Sequence, residues 1–154
     1  PTAAGGAEGP AGGMILALDI LPMEPVDGVV FVQGDFHEEA TLVELQNRLD
    51  GRKVDVVLSD MAPNLSGIAS SDSARVALLV ELALEFAERY LVADGALVCK
   101  VFHGSGYSQL VERFKRAFRV VKPIKPKASR DRSAETFLVG IGLKARPRQV
   151  DTAA

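Results

Sequence analysis

A chain of 154 residues, 47% of them hydrophobic and 25% charged, is sized and composed for a single globular domain. Its net charge of −2 excludes a globally basic nucleic-acid binder, so any polyanion contact must come from a local patch. The lone cysteine, Cys99, excludes an internal disulfide or a cysteine-built metal site. With no signal peptide and no run near the ~18 apolar residues of a membrane span, a cytoplasmic protein without membrane or metal partners is expected.

Residues 1–13 are almost wholly Gly, Ala and Pro, the composition of a flexible lead-in. No strand precedes those glycines and their spacing does not suit a phosphate loop. Met14-Ile-Leu-Ala-Leu-Asp19 reads as a short strand, and Val29-Val-Phe-Val-Gln-Gly-Asp35 as a second. A helix is predicted from about 38 to 49, with Leu42, Leu45 and Leu49 on one face. The strand Lys53–Asp60 follows, then a loop of turn formers, 61–72. A long helix is predicted over about 73–92, capped by Ser71 or Asp72 and striped by Val76, Leu79, Val80, Ala83, Leu84 and Ala87. Asp94-Gly95 is expected to turn the chain into the strand Gly95–Phe102. A helix over about 106–117, a short strand Phe118–Val121 and a last strand Glu135–Gly142 complete the order, with a frayed tail from Lys144. Strands alternating with helices predict an α/β fold with a parallel sheet and helices on both faces.

Lys100 stands inside the apolar run Gly95-Ala-Leu-Val-Cys-Lys-Val-Phe102. Such a run marks a buried strand. A lysine there is costly unless it is paired, deprotonated or at a wet strand end. An ammonium snorkelling outward is the plain explanation, but Asp60 closes a second apolar strand, and ligands of open α/β sheets bind beyond the carboxyl ends of strands. Asp19 and Asp35 close two more. A carboxylate after a strand can accept hydrogen bonds from ribose hydroxyls, so Asp19 suits a ribose and Asp35 a base amino group. Unconnected strand-end capping is the alternative. Cys99 should face away from Lys100, into the core.

Five blocks occur in order: Asp19-Ile-Leu-Pro-Met23, Gln33-Gly-Asp-Phe36, Ser59-Asp-Met-Ala-Pro-Asn64, Lys100-Val-Phe102, and Lys125-Pro-Lys-Ala-Ser-Arg130 leading to Ser133-Ala-Glu135. From Met14 to Leu143 the chain resembles the FtsJ-like (RrmJ-type) ribosomal RNA 2'-O-ribose methyltransferases, which use S-adenosylmethionine. The resemblance implies a Rossmann-like methyltransferase sheet. It makes Lys100, Asp60 and Glu135 three members of the family's Lys-Asp-Lys-Glu catalytic tetrad. It matches Asp19 and Asp35 to positions that hold the cofactor's ribose and adenine, with Asp60 close to its sulfonium end. It further implies large-subunit ribosomal RNA as substrate, at the A-loop uridine within an assembled ribosomal particle. Asp60-Met-Ala-Pro63 differs from the loop that clamps a flat base in amino-methylating enzymes, which favours a sugar hydroxyl as acceptor. Burial would lower the Lys100 pKa towards a general base, whereas Asp60 and Glu135 would raise it, and both roles stay open on sequence.

Family members also carry an N-terminal lysine, a first, central strand and a Gly-Ala-Ala-Pro-Gly-Gly-Trp-type loop. This chain has no Trp, and residues 1–13 only echo that composition. The expectation is therefore a methyltransferase domain over 14–143, N-terminally incomplete and without its central strand, between a lead-in (1–13) and a tail (144–154). Missing the neighbour between them, the strands ending at Asp19 and Asp60 should each show an unpaired edge. Lys122, Lys125, Lys127, Arg130 and Arg132 form a basic run opposed only by Asp131. It reads either as a solvated loop or as a phosphate-gripping RNA contact. A noncatalytic truncated remnant binding RNA or ribosomal particles through this run is the alternative function. A nicotinamide oxidoreductase lacks its G-x-G-x-x-G loop. His103 and His37 read as solvated loop residues, with His103 a lesser rival base.

Overall fold

The computed structural model describes residues 12–61, 66–126 and 134–145. The chain divides into two compact units, 1–52 and 53–154.

In the first unit, β1 (Ile15–Asp19) and β2 (Val29–Gln33) form a parallel pair in which Ile15 faces Val29 and Asp19 faces Gln33. Helix α1 (Glu39–Leu49) follows. Its period-matched Leu45 and Leu49 are buried, as is Val32 of β2, which is how an amphipathic helix gains most of its stability. The turn after β2 is tight: a Cβ on Gly34 would meet Thr41 Oγ1 at 2.6 Å. α1 ends where Asp50 turns left-handed, its N–H donating to Gln46 O. The lead-in lies outside the described residues except for its last two.

The second unit holds a four-stranded sheet in the order β3-β4-β6-β5: β3 (Val54–Ser59), β4 (Leu91–Phe102), β5 (Phe118–Ile124) and β6 (Glu135–Leu143). Strands β3 and β4 are parallel, whereas β6 runs antiparallel to both β4 and β5. The expected all-parallel sheet is thus a mixed one. A parallel return from β5 needs a crossover of a dozen or more residues. Only ten residues separate the end of β5 from the start of β6. Among the described residues β3 has no outer neighbour, and β1 pairs with β2 alone.

Helices α2 (Ala69–Tyr90) and α3 (Tyr107–Ala117) cover one face of this sheet. Val80, Ala83, Leu84 and Ala87 of α2 and Phe114 and Ala117 of α3 enclose Leu97, Cys99 and Val101 of β4 and Leu138 of β6. Each of the larger side chains contributes about 1.5–3 kcal/mol by burial. Arg113 ties the two helices, reaching Glu81 at 2.9 Å and Glu88 at 2.6 Å. On the opposite face Val56 and Leu58 are 60% and 68% exposed, so among the described residues this sheet's helical cover is one-sided.

Several boundaries differ from expectation, and β5 runs on past Val121 to Ile124. α2 begins at Ala69 with Ile68 at its N-cap, so neither Ser71 nor Asp72 caps it. Asp72 instead reaches back from the first turn and accepts from Ser66 N and Oγ, both at 2.8 Å, and from Gly67 N. Those donors hold its carboxyl below the usual range. Asp94-Gly95 is no turn but lies within β4, at an irregularity where Val54 pairs with Leu91 and Val56 with Ala96. The strands approach closely there. A Cβ on Gly95 would stand 2.9 Å from Asp55 O.

Candidate active site

The register of the sheet brings Asp60, Lys100 and Glu135 together. Ser59 pairs with Cys99 across the parallel β3–β4 ladder, so Asp60 lies one step on, beside Lys100. On the other side Lys100 faces Phe137 and Phe102 faces Glu135. Glu135 is therefore the diagonal neighbour of Lys100 on the same face, within reach of a long side chain. Lys100 Nζ stands 2.8 Å from Asp60 Oδ1 and 3.4 Å from Glu135 Oε1. The lysine side chain is 14% exposed, whereas Asp60 is 66% exposed. The hydrocarbon stem is thus packed while the charged head meets its partners at the sheet's rim.

The hydrogen bond from Lys100 to Asp60 raises the lysine pKa above its ordinary value, and the Glu135 carboxylate adds to the rise; burial opposes them without prevailing. In this geometry Lys100 is an ammonium. It carries three donor hydrogens; Asp60 and Glu135 take two and leave one for a ligand oxygen. Glu135 is itself fixed by backbone ties around it. His103 N–H donates to Ala134 O at 2.8 Å, Lys125 Nζ to Glu135 O at 3.0 Å, and Thr136 Oγ1 to Ile124 O at 3.1 Å.

Cys99 faces away from Lys100, fully buried in the core as expected. Desolvation pushes its thiol up to about 12, so it carries no nucleophilic chemistry at neutral pH.

Asp19 and Asp35 belong to the first unit, at the carboxyl ends of β1 and β2. Asp19 Oδ1 accepts from Leu21 N at 3.0 Å. Asp35 Oδ1 accepts from His37 N at 2.9 Å and faces His37 Nδ1 at 2.7 Å. The His37 backbone N–H is the main cause of a lowered Asp35 pKa, which keeps that carboxylate ionised. Each aspartate retains a second oxygen as a hydrogen-bond acceptor, able to take a hydroxyl or amino donor.

Lys122 is exposed on β5 opposite Val139, and Lys125 follows that strand. Lys127, Arg130 and Arg132 lie outside the described residues, as do 62–64 of the Ser59–Asn64 block. Two contacts were not foreseen from sequence. His37, exposed as expected, also engages Asp35, and the ring of exposed His103 lies 4.4 Å from that of Tyr107. The i, i+2 and i, i+4 spacings permit both contacts without requiring either. Among the described residues no group of His, Cys, Asp and Glu could hold a metal, and no helix is long and apolar enough to cross a membrane.

The mixed α/β fold is that of a methyltransferase. A crystal structure of a Plasmodium falciparum protein assigned as a ribosomal RNA methyltransferase superimposes with a TM-score of 0.74 at 27% identity, covering 86% of this chain and 73% of that one. Residues 4–143 match the family of FtsJ-like methyltransferases, and the chain belongs to that family. It is 73% identical over 142 residues to the ribosomal RNA large subunit methyltransferase E of Methylibium petroleiphilum, covering 92% of this chain and 63% of that protein. It is 72% identical over 141 residues to the protein of that name from Leptothrix cholodnii, covering 92% and 61%. The chain thus spans less than two thirds of the length of these relatives.

Proposed function

We propose that the protein transfers a methyl group from S-adenosylmethionine to a ribose 2'-hydroxyl of large-subunit ribosomal RNA, the A-loop uridine within an assembled ribosomal particle being the acceptor. The observation that carries this reading is the Asp60–Lys100–Glu135 cluster, with its 2.8 and 3.4 Å contacts, in a chain of this family. Asp19 and Asp35 are the residues that would hold the cofactor's ribose and adenine, with Asp60 serving its sulfonium end. When bound, S-adenosylmethionine supplies an electrophilic methyl group on a sulfonium that departs as a neutral thioether.

Lys100 orients the 2'-oxygen with its remaining N–H and, as a cation, favours loss of the hydroxyl proton. An ammonium cannot accept that proton. It passes to a carboxylate oxygen of Glu135 or Asp60, or to water, as the oxygen–carbon bond forms. In-line displacement makes alignment the larger part of the task, and the backbone ties around Glu135 supply rigidity for it. Lys122 and Lys125, with Lys127, Arg130 and Arg132, are the candidate phosphate contacts. The protein acts in the cytoplasm on this reading.

The chain placed in the Methylibium relative in place of the matching segment should methylate ribose, and Lys100→Ala in that chimera should abolish transfer while cofactor affinity changes little. Equal loss of cofactor binding on Lys100→Ala would contradict this assignment. A second reading, a noncatalytic chain that binds RNA or ribosomal particles through its basic run, is supported by the exposure of Lys122 on β5. Methyl transfer by the chimera separates the two, since a noncatalytic segment would not support it.

A further inference from the structure

We propose that His103 and Tyr107 form a stacking platform for an unstacked base of single-stranded RNA, next to the ribose served by Lys100. The proposal rests on the RNA reading above and adds a base-contacting element to it. Tyr107 is half-buried and packs against the core cluster, which fixes its ring. His103 is exposed, and its backbone is pinned by the 2.8 Å hydrogen bond to Ala134 O. The two ring centroids are 4.4 Å apart with planes tilted by 39°. The imidazole is thus backed by a rigid aromatic side chain and presented to solvent.

Position in the sheet selects the occupant. His103 follows Lys100 by three residues, about 10 Å along a strand, at the same carboxyl end of β4. Its N–H bonds the residue immediately before Glu135. On this proposal an RNA strand with a ribose at Lys100 has the imidazole within reach of a neighbouring base. Sequence-specific RNA recognition works largely on splayed single-stranded bases stacked on aromatic or histidine side chains. The loop itself leaves room, because Gly104, with φ of +129°, has nothing within 4 Å of a notional Cβ. The alternative role, local packing of the first turn of α3, is filled by Tyr107 against the core and does not use the outer face of His103.

The chain has no Trp and two tyrosines, Tyr90 and Tyr107, so in a Tyr90→Phe background the tyrosine emission reports Tyr107 alone. This protein is titrated with a single-stranded RNA hexamer and with the same hexamer carrying one abasic ribose, following emission and RNA anisotropy. We expect the intact hexamer to change Tyr107 emission and the abasic one to bind more weakly. His103→Ala should lower RNA affinity about tenfold or more with the circular dichroism spectrum and salt slope unchanged, and His103→Phe should restore it. RNA binding that is equal for wild type and His103→Ala overturns the platform and leaves the RNA reading standing. Absence of RNA binding by the wild-type chain overturns that reading together with the platform.

Discussion

Lys100 Nζ lies 2.8 Å from Asp60 Oδ1, joining the ends of two neighbouring parallel strands through one charged hydrogen bond. The contact favours the protonated form of the lysine. A nearly buried lysine alone would tend to lose its proton, but the carboxylate partner prevails and the folded pKa is raised.

The Lys100 ammonium should accordingly titrate above the ordinary lysine range of about 10.4. With the folded value raised, its contribution to stability is fully present below the unfolded pKa and is lost as pH rises through the folded one. NMR detection of the lysine Cε and Nζ signals between pH 8 and 12 checks this. Titration near neutral pH would instead identify Lys100 as a general base.

Asp60→Asn should lower the Lys100 pKa more than Glu135→Gln, because the Asp60 hydrogen bond is the largest cause of the rise. Asp60 is mostly exposed, so the stability cost should be only about 0–1 kcal/mol. Loss of methyl transfer in the chimera should be about a hundredfold or more. Urea unfolding and initial rates, measured on the same preparations, separate the two effects.

Phe114→Ala should cost about 3–5 kcal/mol, since Phe114 is wholly buried and its ring lies 5.8 Å from that of Phe118. Gly140→Ala would drive a methyl group into the Phe118 ring, at about 1–3 kcal/mol. Leu58→Ala, at an exposed position, should stay within about 0.5 kcal/mol. Chemical denaturation ranks the three, and a Leu58 effect as large as that of Phe114 would place the core wrongly.

Cys99 is fully buried and its thiol is pushed up to about 12, so an aromatic disulfide reagent at pH 8 should leave it unmodified until the protein opens. Its modification rate should rise with urea in step with unfolding. Rapid reaction in native buffer would contradict the packing of β4 against α2 and α3.

Much of the candidate site was legible because its signals are local. An apolar run interrupted by one lysine gave β4, and Asp60 one residue past the end of β3 gave its partner. What escaped depended on pairing between distant segments. The antiparallel direction of β6 suits the ten residues that separate it from β5, a length the strand pattern alone does not weigh. The division into separate sheets depends on which strands share hydrogen bonds, and β1 chooses β2. α2 starts at Ala69 because Asp72 serves the Ser66-Gly67 turn, so a good capping residue was spent on the loop before the helix. The roles of Asp19, Asp35 and Glu135 came from the family pattern, since a carboxylate at a strand end is by itself common.

The central claim is tested most directly by following methyl transfer in the chimera. It is incubated with tritiated S-adenosylmethionine and undermethylated large ribosomal particles, and the RNA is then hydrolysed in alkali. A methylated ribose cannot form the cyclic intermediate of hydrolysis, so label should appear in one alkali-stable dinucleotide and vanish with Lys100→Ala. Label recovered in a base, or undiminished in the Lys100→Ala protein, would contradict the account.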